Sequence, residues 1–227
     1  MNIIKYALIV AGGSGKRFGS GTPKQFLNIK GKPILMHTIE AFYNADSKTD
    51  IIITLPKEQI SYWERLCILH GFVIKHRIVE GGETRTMSVK NGLSVIENHE
   101  SVVAIHDGVR PFISKAVIDN CYAVAALNGA AVPAVKVVDT IRLIDTATGV
   151  SKTLNRDNLI AVQTPQTFNT KEIINAYNKT TSGGFTDDAS VYETTGRHVT
   201  LVEGDIRNIK ITHPTDIIIA ETILANG

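Results

Sequence analysis

Glycines and cations meet in the run Ala11-Gly12-Gly13-Ser14-Gly15-Lys16-Arg17-Phe18-Gly19, followed by Pro23-Lys24-Gln25. A glycine run lets backbone N–H groups approach an anion closely, because no Cβ stands in the way. Lys16, Arg17 and Lys24 add positive charge nearby, an arrangement suited to a triphosphate. Two other phosphate-loop templates fail. A Walker A loop needs Ser or Thr after Gly-Lys, and Arg17 stands there, while Val10 holds the place of its first glycine. A dinucleotide fingerprint needs Gly where Phe18 stands, and no acidic residue ends the run that closes at Leu55-Pro56. The bland alternative is a tight turn with solvated cations.

A second stretch, Gly81-Gly82-Glu83-Thr84-Arg85-Thr86-Met87-Ser88, pairs two glycines with a carboxylate. The glycines permit close approach of a flat ligand such as a base. Glu83 can accept a hydrogen bond from an exocyclic amine, as carboxylates do with cytosine. A turn followed by a first-turn Glu would look the same. In His106-Asp107-Gly108-Val109-Arg110-Pro111, Asp107 and Arg110 leave the end of an apolar run and suit polyol hydroxyls or a phosphate. They would equally brace a loop by pairing with each other. His106 reads as a satisfied histidine at a strand end rather than a base. Lys210 lies among Ile206, Ile209 and Ile211. It is either an edge charge or an inward cation with an anionic partner. Arg156, Thr140 and Thr164 (the last in Gln163-Thr164-Pro165-Gln166) are ordinary loop residues when taken alone.

Alternating elements must position these loops. Tyr6–Val10, Ile51–Leu55, Phe72–Val79, Val102–His106 and Ala130–Val135 read as strands, being short and aliphatic. Pro33–Phe42, Gln59–Leu69 and a segment through Ser88, Leu93 and Ile96 read as helices. Ser114 caps another, carrying Val117, Ile118, Cys121, Val124 and Leu127. The alternation predicts an α/β fold, a Rossmann-like mostly parallel sheet with helices on both faces. Ligands of such sheets bind beyond the carboxyl ends of strands, where the loops after Val10, Val79 and His106 converge. Residues 136–159 break the rhythm: β-type runs flank a polar turn at Asp145–Gly149, predicting a protruding β-arm. A lone hairpin is marginal in water, so the arm is expected to dimerise. The polar segment Lys179–Gly184 is expected to be a mobile loop.

Composition narrows the classes. Lys and Arg number 24 against 22 Asp and Glu, a formal charge of +2, too balanced for a nucleic-acid coat or a membrane-surface protein. Any anion site is therefore a local cluster. Cys67 and Cys121 have no ligand spacing and read as small core residues, not a disulfide framework or zinc site. The N-terminal apolar run is too short for a signal peptide. The expectation is one soluble cytoplasmic domain over 1–227, with no nucleic acid and no membrane.

Taken in order from Ala11 to Thr212, the runs AGGSGKRFG, PKQF, GGETRTMSV, HDGVRPF, VVDTIR, QTPQTF, TDDAS and LVEGDIRNIKIT resemble the 2-C-methyl-D-erythritol 4-phosphate cytidylyltransferase family of the non-mevalonate isoprenoid route. The resemblance implies transfer of CMP from CTP to a polyol phosphate, a homodimer built through the β-arm, and Mg²⁺ carried mainly on substrate phosphates. By position, Arg17 and Lys24 match residues that bind triphosphate and stabilise charge at the α-phosphorus. Ala11, Gly12, Gly13 and Gly15 match the nucleotide loop, and Gly82, Glu83 and Ser88 match the cytosine and ribose contacts. Many relatives have Asp in place of Glu83 and Ala in place of Gly108, the latter touching ribose packing. Asp107, Arg110, Thr140 and Thr164 match the methylerythritol phosphate side. Lys210, with Arg156 offered by a neighbouring subunit, matches the residues that place the attacking phosphate. No metal ligand is assigned, Asp107 and Asp205 being the carboxylates weighed. The rival readings are a ribitol 5-phosphate cytidylyltransferase and a non-catalytic nucleotide-binding module.

Overall fold

Strand β1 (Lys5–Val10) looks uniformly apolar, yet its side chains serve two cores. Ala7 and Ile9 join one buried cluster, while Tyr6 and Leu8 join another. This is the period-two alternation of a strand covered on both faces. The computed structural model describes residues 3–13, 22–180 and 184–226; the centre of the segment predicted to be mobile lies outside them.

After a small hairpin of β2 (Asn28–Ile29) and β3 (Lys32–Pro33), the chain alternates as the sequence predicts. The next elements are α1 (Ile34–Ala45), β4 (Asp50–Leu55), α2 (Lys57–Leu69), β5 (Arg77–Glu80) and α3 (Arg85–Ser94). Then come β6 (Val102–Asp107), α4 (Lys115–Asn128) and β7 (Ala130–Lys136). Helices α1, α2 and α4 bury Leu35, Ile39, Phe42, Trp63, Ile118 and Cys121 on one face of the sheet. Helix α3 buries Val89 and Leu93 on the other. Ser114 caps α4 by accepting from the Val117 amide, as its type predicts.

Two expectations shift. The strand predicted from Phe72 begins only at Arg77, because Trp63 Nε1 donates to His76 Nε2 at 3.0 Å and Trp63, Phe72 and His76 cluster their rings. That cluster draws residues 72–76 onto α2 and away from β4. Helix α3 ends at Ser94, short of Ile96, which still packs in the core beneath.

Beyond β7 the chain forms β8 (Arg142–Ile144) and β9 (Ser151–Thr153), which pair antiparallel with each other as a separate two-stranded sheet. Val138, Leu143, Ile144 and Val150 on this hairpin are exposed. The chain re-enters the main sheet as β10 (Ile160–Val162) and β11 (Gln166–Asn169). It continues through α5 (Thr170–Lys179), α6 (Asp188–Glu193), β12 (Thr200–Glu203) and α7 (Thr215–Asn226). The strand order is β10-β7-β11-β6-β1-β4-β5, with β12 parallel to β7. The four strands from β6 to β5 are mutually parallel, and β10 and β11 run antiparallel. A third small core of Ile29, Ile34, Val109, Ile211 and Ala220 fixes the segment after β12 against the loop after β6.

Candidate active site

Each of three loops begins by extending the ladder of the strand it leaves. The Ala11 amide donates to Thr54 O at 3.0 Å, Gly81 N to Leu55 O at 2.8 Å, and Gly108 N to Val10 O at 2.9 Å. The loops therefore leave the carboxyl edge of the parallel strands side by side and enclose a cleft of about 200 Å³. Its lining includes Ala11, Gly12, Gly13, Lys24, Gly82, Glu83, Ser88, Asp107 and Lys210. All of these are residues singled out from the sequence. Arg17 and Gly15 lie outside the described residues.

Lys24 opens a single 3₁₀ turn, Lys24–Phe26. The buried Gln25 anchors that turn, donating to Ala11 O at 2.8 Å and to Gln59 Oε1 at 2.7 Å. A Cβ on Gly13 would sit 3.4 Å from Lys24 Cε, so the lysine stem lies against the glycine loop. Across the cleft, Thr84 caps α3 by accepting from Met87 N, and Ser88 Oγ accepts from Gly82 N at 3.1 Å. A Cβ on Gly82 would meet Met87 Cβ at 2.3 Å, so only glycine permits this close turn. Glu83 sits before the cap, exposed at the cleft mouth, and does not occupy a first-turn position. Gly108 is buried beneath Ala11, whose methyl would lie 2.9 Å from an added Cβ.

Asp107, at the end of β6, is the electrostatic centre. Its carboxylate receives Lys210 Nζ at 3.0 Å, Arg110 Nε at 3.1 Å and Arg85 Nε at 4.0 Å. Burial alone would raise its pKa, but the three cations outweigh that and hold the carboxyl well below the usual carboxylate range. Lys210 is thus an inward cation with an anionic partner rather than an edge charge. No strand forms around it; Ile211 N donates to Val109 O at 2.9 Å and seats it beside the loop.

A second hollow of about 220 Å³ adjoins the first. Arg110, Gln163, Thr164, Gln166 and Asp187 line it, and it shares Arg85, Asp107 and Lys210 with the first cleft. Two ligands can therefore sit on either side of one cluster of cations. Several residues that build this wall are not evident from the sequence. Arg85 grips the fully buried Asp188 through two bonds of 2.8 and 2.6 Å, and Tyr177 donates to the same carboxylate at 2.5 Å. Gln166 Oε1 accepts from the Asp188 and Ala189 amides at 2.9 and 2.8 Å. Gln163 holds both the carbonyl and the amide of Asp205, and Asn208 donates to Thr164 O at 2.8 Å while accepting from Arg110 at its own carbonyl. The only local hints were polar residues crowded around Pro165 and the acidic pair after Thr186.

Thr140 and Arg156 are exposed on the arm side and line neither hollow; Arg156 Nη1 donates to Val138 O at 2.8 Å. Among the described residues no three His, Cys, Asp or Glu side chains are grouped to hold a metal ion. Burial pushes the Cys121 thiol up to about 12 and Cys67 to about 11, so neither offers a thiolate nucleophile.

A family profile described as 2-C-methyl-D-erythritol 4-phosphate cytidylyltransferase (IspD) matches residues 5–226. A protein of that name from Bacteroides fragilis is 52% identical over 218 residues, covering 96% of this chain and 98% of its own. One from Phocaeicola vulgatus is 48% identical over 220 residues, with 97% and 99% covered. The solved structure of 4-diphosphocytidyl-2C-methyl-D-erythritol synthase from Anaerococcus prevotii superposes with a TM-score of 0.83 at 30% identity, covering 98% of this chain and 96% of that one. That of a 2-C-methyl-D-erythritol 4-phosphate cytidylyltransferase from Thermus thermophilus gives 0.78 at 29% identity, covering 99% of this chain and 100% of that one.

Proposed function

The chain belongs to the 2-C-methyl-D-erythritol 4-phosphate cytidylyltransferase family, and from that premise we infer how its paired hollows work. The enzyme joins CTP to 2-C-methyl-D-erythritol 4-phosphate, giving CDP-methylerythritol and pyrophosphate for isoprenoid precursor synthesis. The observation that carries the assignment of parts is the shared cation cluster between a glycine-lined cleft and a polar hollow. The glycine side takes CTP, with Glu83 and the Gly82 backbone reading the cytosine amine and Ser88 bracing that loop. Ala11, Gly12 and Gly13, joined by Gly15, cradle the phosphates. The polar side takes the polyol phosphate through Asp107, Arg110 and Thr164.

The attacking oxygen belongs to a phosphate monoester whose second pKa is about 6, so it is already mostly a dianion at neutral pH. It needs no general base. The barrier lies in bringing two polyanions together in line, and positioning of this kind can supply roughly 7–11 kcal/mol. The oxygen attacks the α-phosphorus of CTP, and the bond to pyrophosphate breaks as the charge moves onto the leaving group. Lys24, with Arg17, stabilises charge at the α-phosphoryl and pyrophosphate oxygens; Lys210 steers the incoming phosphate. Arg156 and Thr140 complete the polyol side when offered by a second copy, the arms meeting through their exposed apolar residues.

Carried on the triphosphate as part of the nucleotide substrate, Mg²⁺ would lower the charge that the protein must neutralise. The donor set fits that mode. Of the two carboxylates lining the cleft, Asp107 is engaged by three cations and Glu83 stands exposed at the mouth. The reading also places the reaction in the cytoplasm, with no part for nucleic acid or membrane. No helix among the described residues is long and apolar enough to cross a bilayer.

Pyrophosphate release from CTP, with methylerythritol phosphate and ribitol 5-phosphate offered separately, tests the reading. Release with the first substrate is expected; release only with the second transfers the polyol assignment to ribitol. Light scattering tests the arm: a monomer in solution removes Arg156 and Thr140 from the site.

A further inference from the structure

His106 is wholly buried at the end of β6, edge-on to Phe42 with ring centroids 5.1 Å apart. Both ring nitrogens have partners. Nε2 lies 3.0 Å from the carbonyl oxygen of Arg110, and Nδ1 lies 3.0 Å from Thr164 Oγ1. A carbonyl oxygen only accepts, so Nε2 carries a proton. Burial, the largest influence on this ring, brings His106 down to about 4, so it is neutral at pH 7. A neutral imidazole has one N–H, which leaves Nδ1 bare. Thr164 must therefore donate its hydroxyl proton to Nδ1.

The consequence falls on Thr164. A hydroxyl has one proton and two lone pairs. Its proton is committed to His106, and one lone pair accepts the Asp107 amide at 3.1 Å. One lone pair is left uncommitted, and Thr164 lines the second hollow. That lone pair accepts from a hydroxyl and repels the deprotonated oxygens of a phosphate.

We propose that His106 is a positioning residue for the transfer reaction: as the Nε2–H tautomer it locks Thr164 as a pure hydrogen-bond acceptor, so that this wall takes a hydroxyl of the polyol and turns the phosphate end away, toward Lys210. The same ring holds the Arg110 backbone, so the polyol-side residues Asp107, Thr164 and Arg110 are set by one buried imidazole. The proposal rests on the second hollow being the polyol phosphate site.

Two measurements on the full-length enzyme decide it. Long-range ¹H–¹⁵N NMR of the ¹⁵N-labelled wild type, with His106 assigned through its own backbone, reads the tautomer at pH 7 and requires no variant to fold. A protonated Nε2 and bare Nδ1 are expected; an Nδ1–H form or an imidazolium overturns the proposal. The second measurement is a split in KM. His106→Gln keeps an amide N–H for Arg110 but takes the acceptor away from the Nδ1 position that faces Thr164. It is expected to raise KM for methylerythritol phosphate about five- to tenfold with KM for CTP within about twofold. An unchanged polyol KM in His106→Gln, or equal rises for both substrates, overturns the proposal. Should His106→Gln fail to fold, the tautomer read by NMR on the wild type decides the proposal, with the same overturning results. A wild type that releases no pyrophosphate with either polyol sinks the functional reading instead, and the NMR result then stands apart from it.

Discussion

Lys210 Nζ stands 3.0 Å from Asp107 Oδ2, and Arg110 and Arg85 approach the same carboxylate at 3.1 and 4.0 Å. Asp107 gathers three cations, and one of them, Arg85, is also held by the buried Asp188. Asp107 holds the cations close enough to act together, yet does not cancel them. The arrangement suits a reaction in which two phosphate esters must be held side by side.

Asp107→Asn tests that balance. The carboxyl is held below its ordinary value of about 3.9, so its stabilising effect is complete above roughly pH 4 and is lost as the pH falls toward the lowered folded-state value. Urea unfolding of the variant at pH 7 is expected to show a loss of about 3 kcal/mol, because three cations lose their shared partner. Its stability is also expected to fall less than the wild type's as the pH drops below 4. An equally steep acid decline in both proteins would place the acid-sensitive group elsewhere.

Lys24→Ala and Lys210→Ala are each expected to lower kcat by about a hundredfold with an unchanged circular dichroism spectrum. They should differ in the substrate they weaken. Lys210→Ala is expected to raise KM for the polyol phosphate more than for CTP, since Lys210 lines both hollows, whereas Lys24 lines the glycine side. Steady-state kinetics with each substrate varied in turn measures the difference.

Glu83 carries base selectivity in this reading. Cytosine offers a donor where uracil offers an acceptor, so Glu83→Gln is expected to narrow the CTP-to-UTP ratio of kcat/KM by about tenfold. Competition between the two nucleotides reads this directly. An unchanged ratio would leave recognition of the base to the backbone around Gly82.

The Arg85–Asp188 clamp is expected to matter through the fold. Asp188 is fully buried and paired bidentately, so Asp188→Asn should cost about 3–5 kcal/mol in thermal or urea unfolding. Tyr177→Phe removes one hydrogen bond to the same carboxylate and should cost only about 1 kcal/mol. Similar losses in the two variants would mean that the ion pair is not the dominant contact.

Much of the site was legible because its chemistry is local. Glycines beside cations at the end of an aliphatic strand suit a phosphate, and the strand-helix alternation already brings the loops after Val10, Val79 and His106 to one edge. The resemblance could then assign Lys24, Glu83 and Asp107 without coordinates. The strand predicted from Phe72 failed for a reason no local pattern carries: Trp63 and His76 meet only when α2 folds back over that segment.

The order of residues was enough to predict the parallel sheet and the rim on which the loops meet, because hydrophobic period and glycine placement act over a few neighbouring residues; the kind of ligand came from the resemblance of the motif runs. Three-dimensional packing was needed to establish that Lys210 points inward to Asp107, that Arg85 belongs to the wall of both hollows through Asp188, and that Gln163, Gln166 and Asn208 hold that wall in place. Those choices depend on which buried polar group finds which partner far along the chain. A charge taken from water must be met by another, and where that other lies is settled by packing.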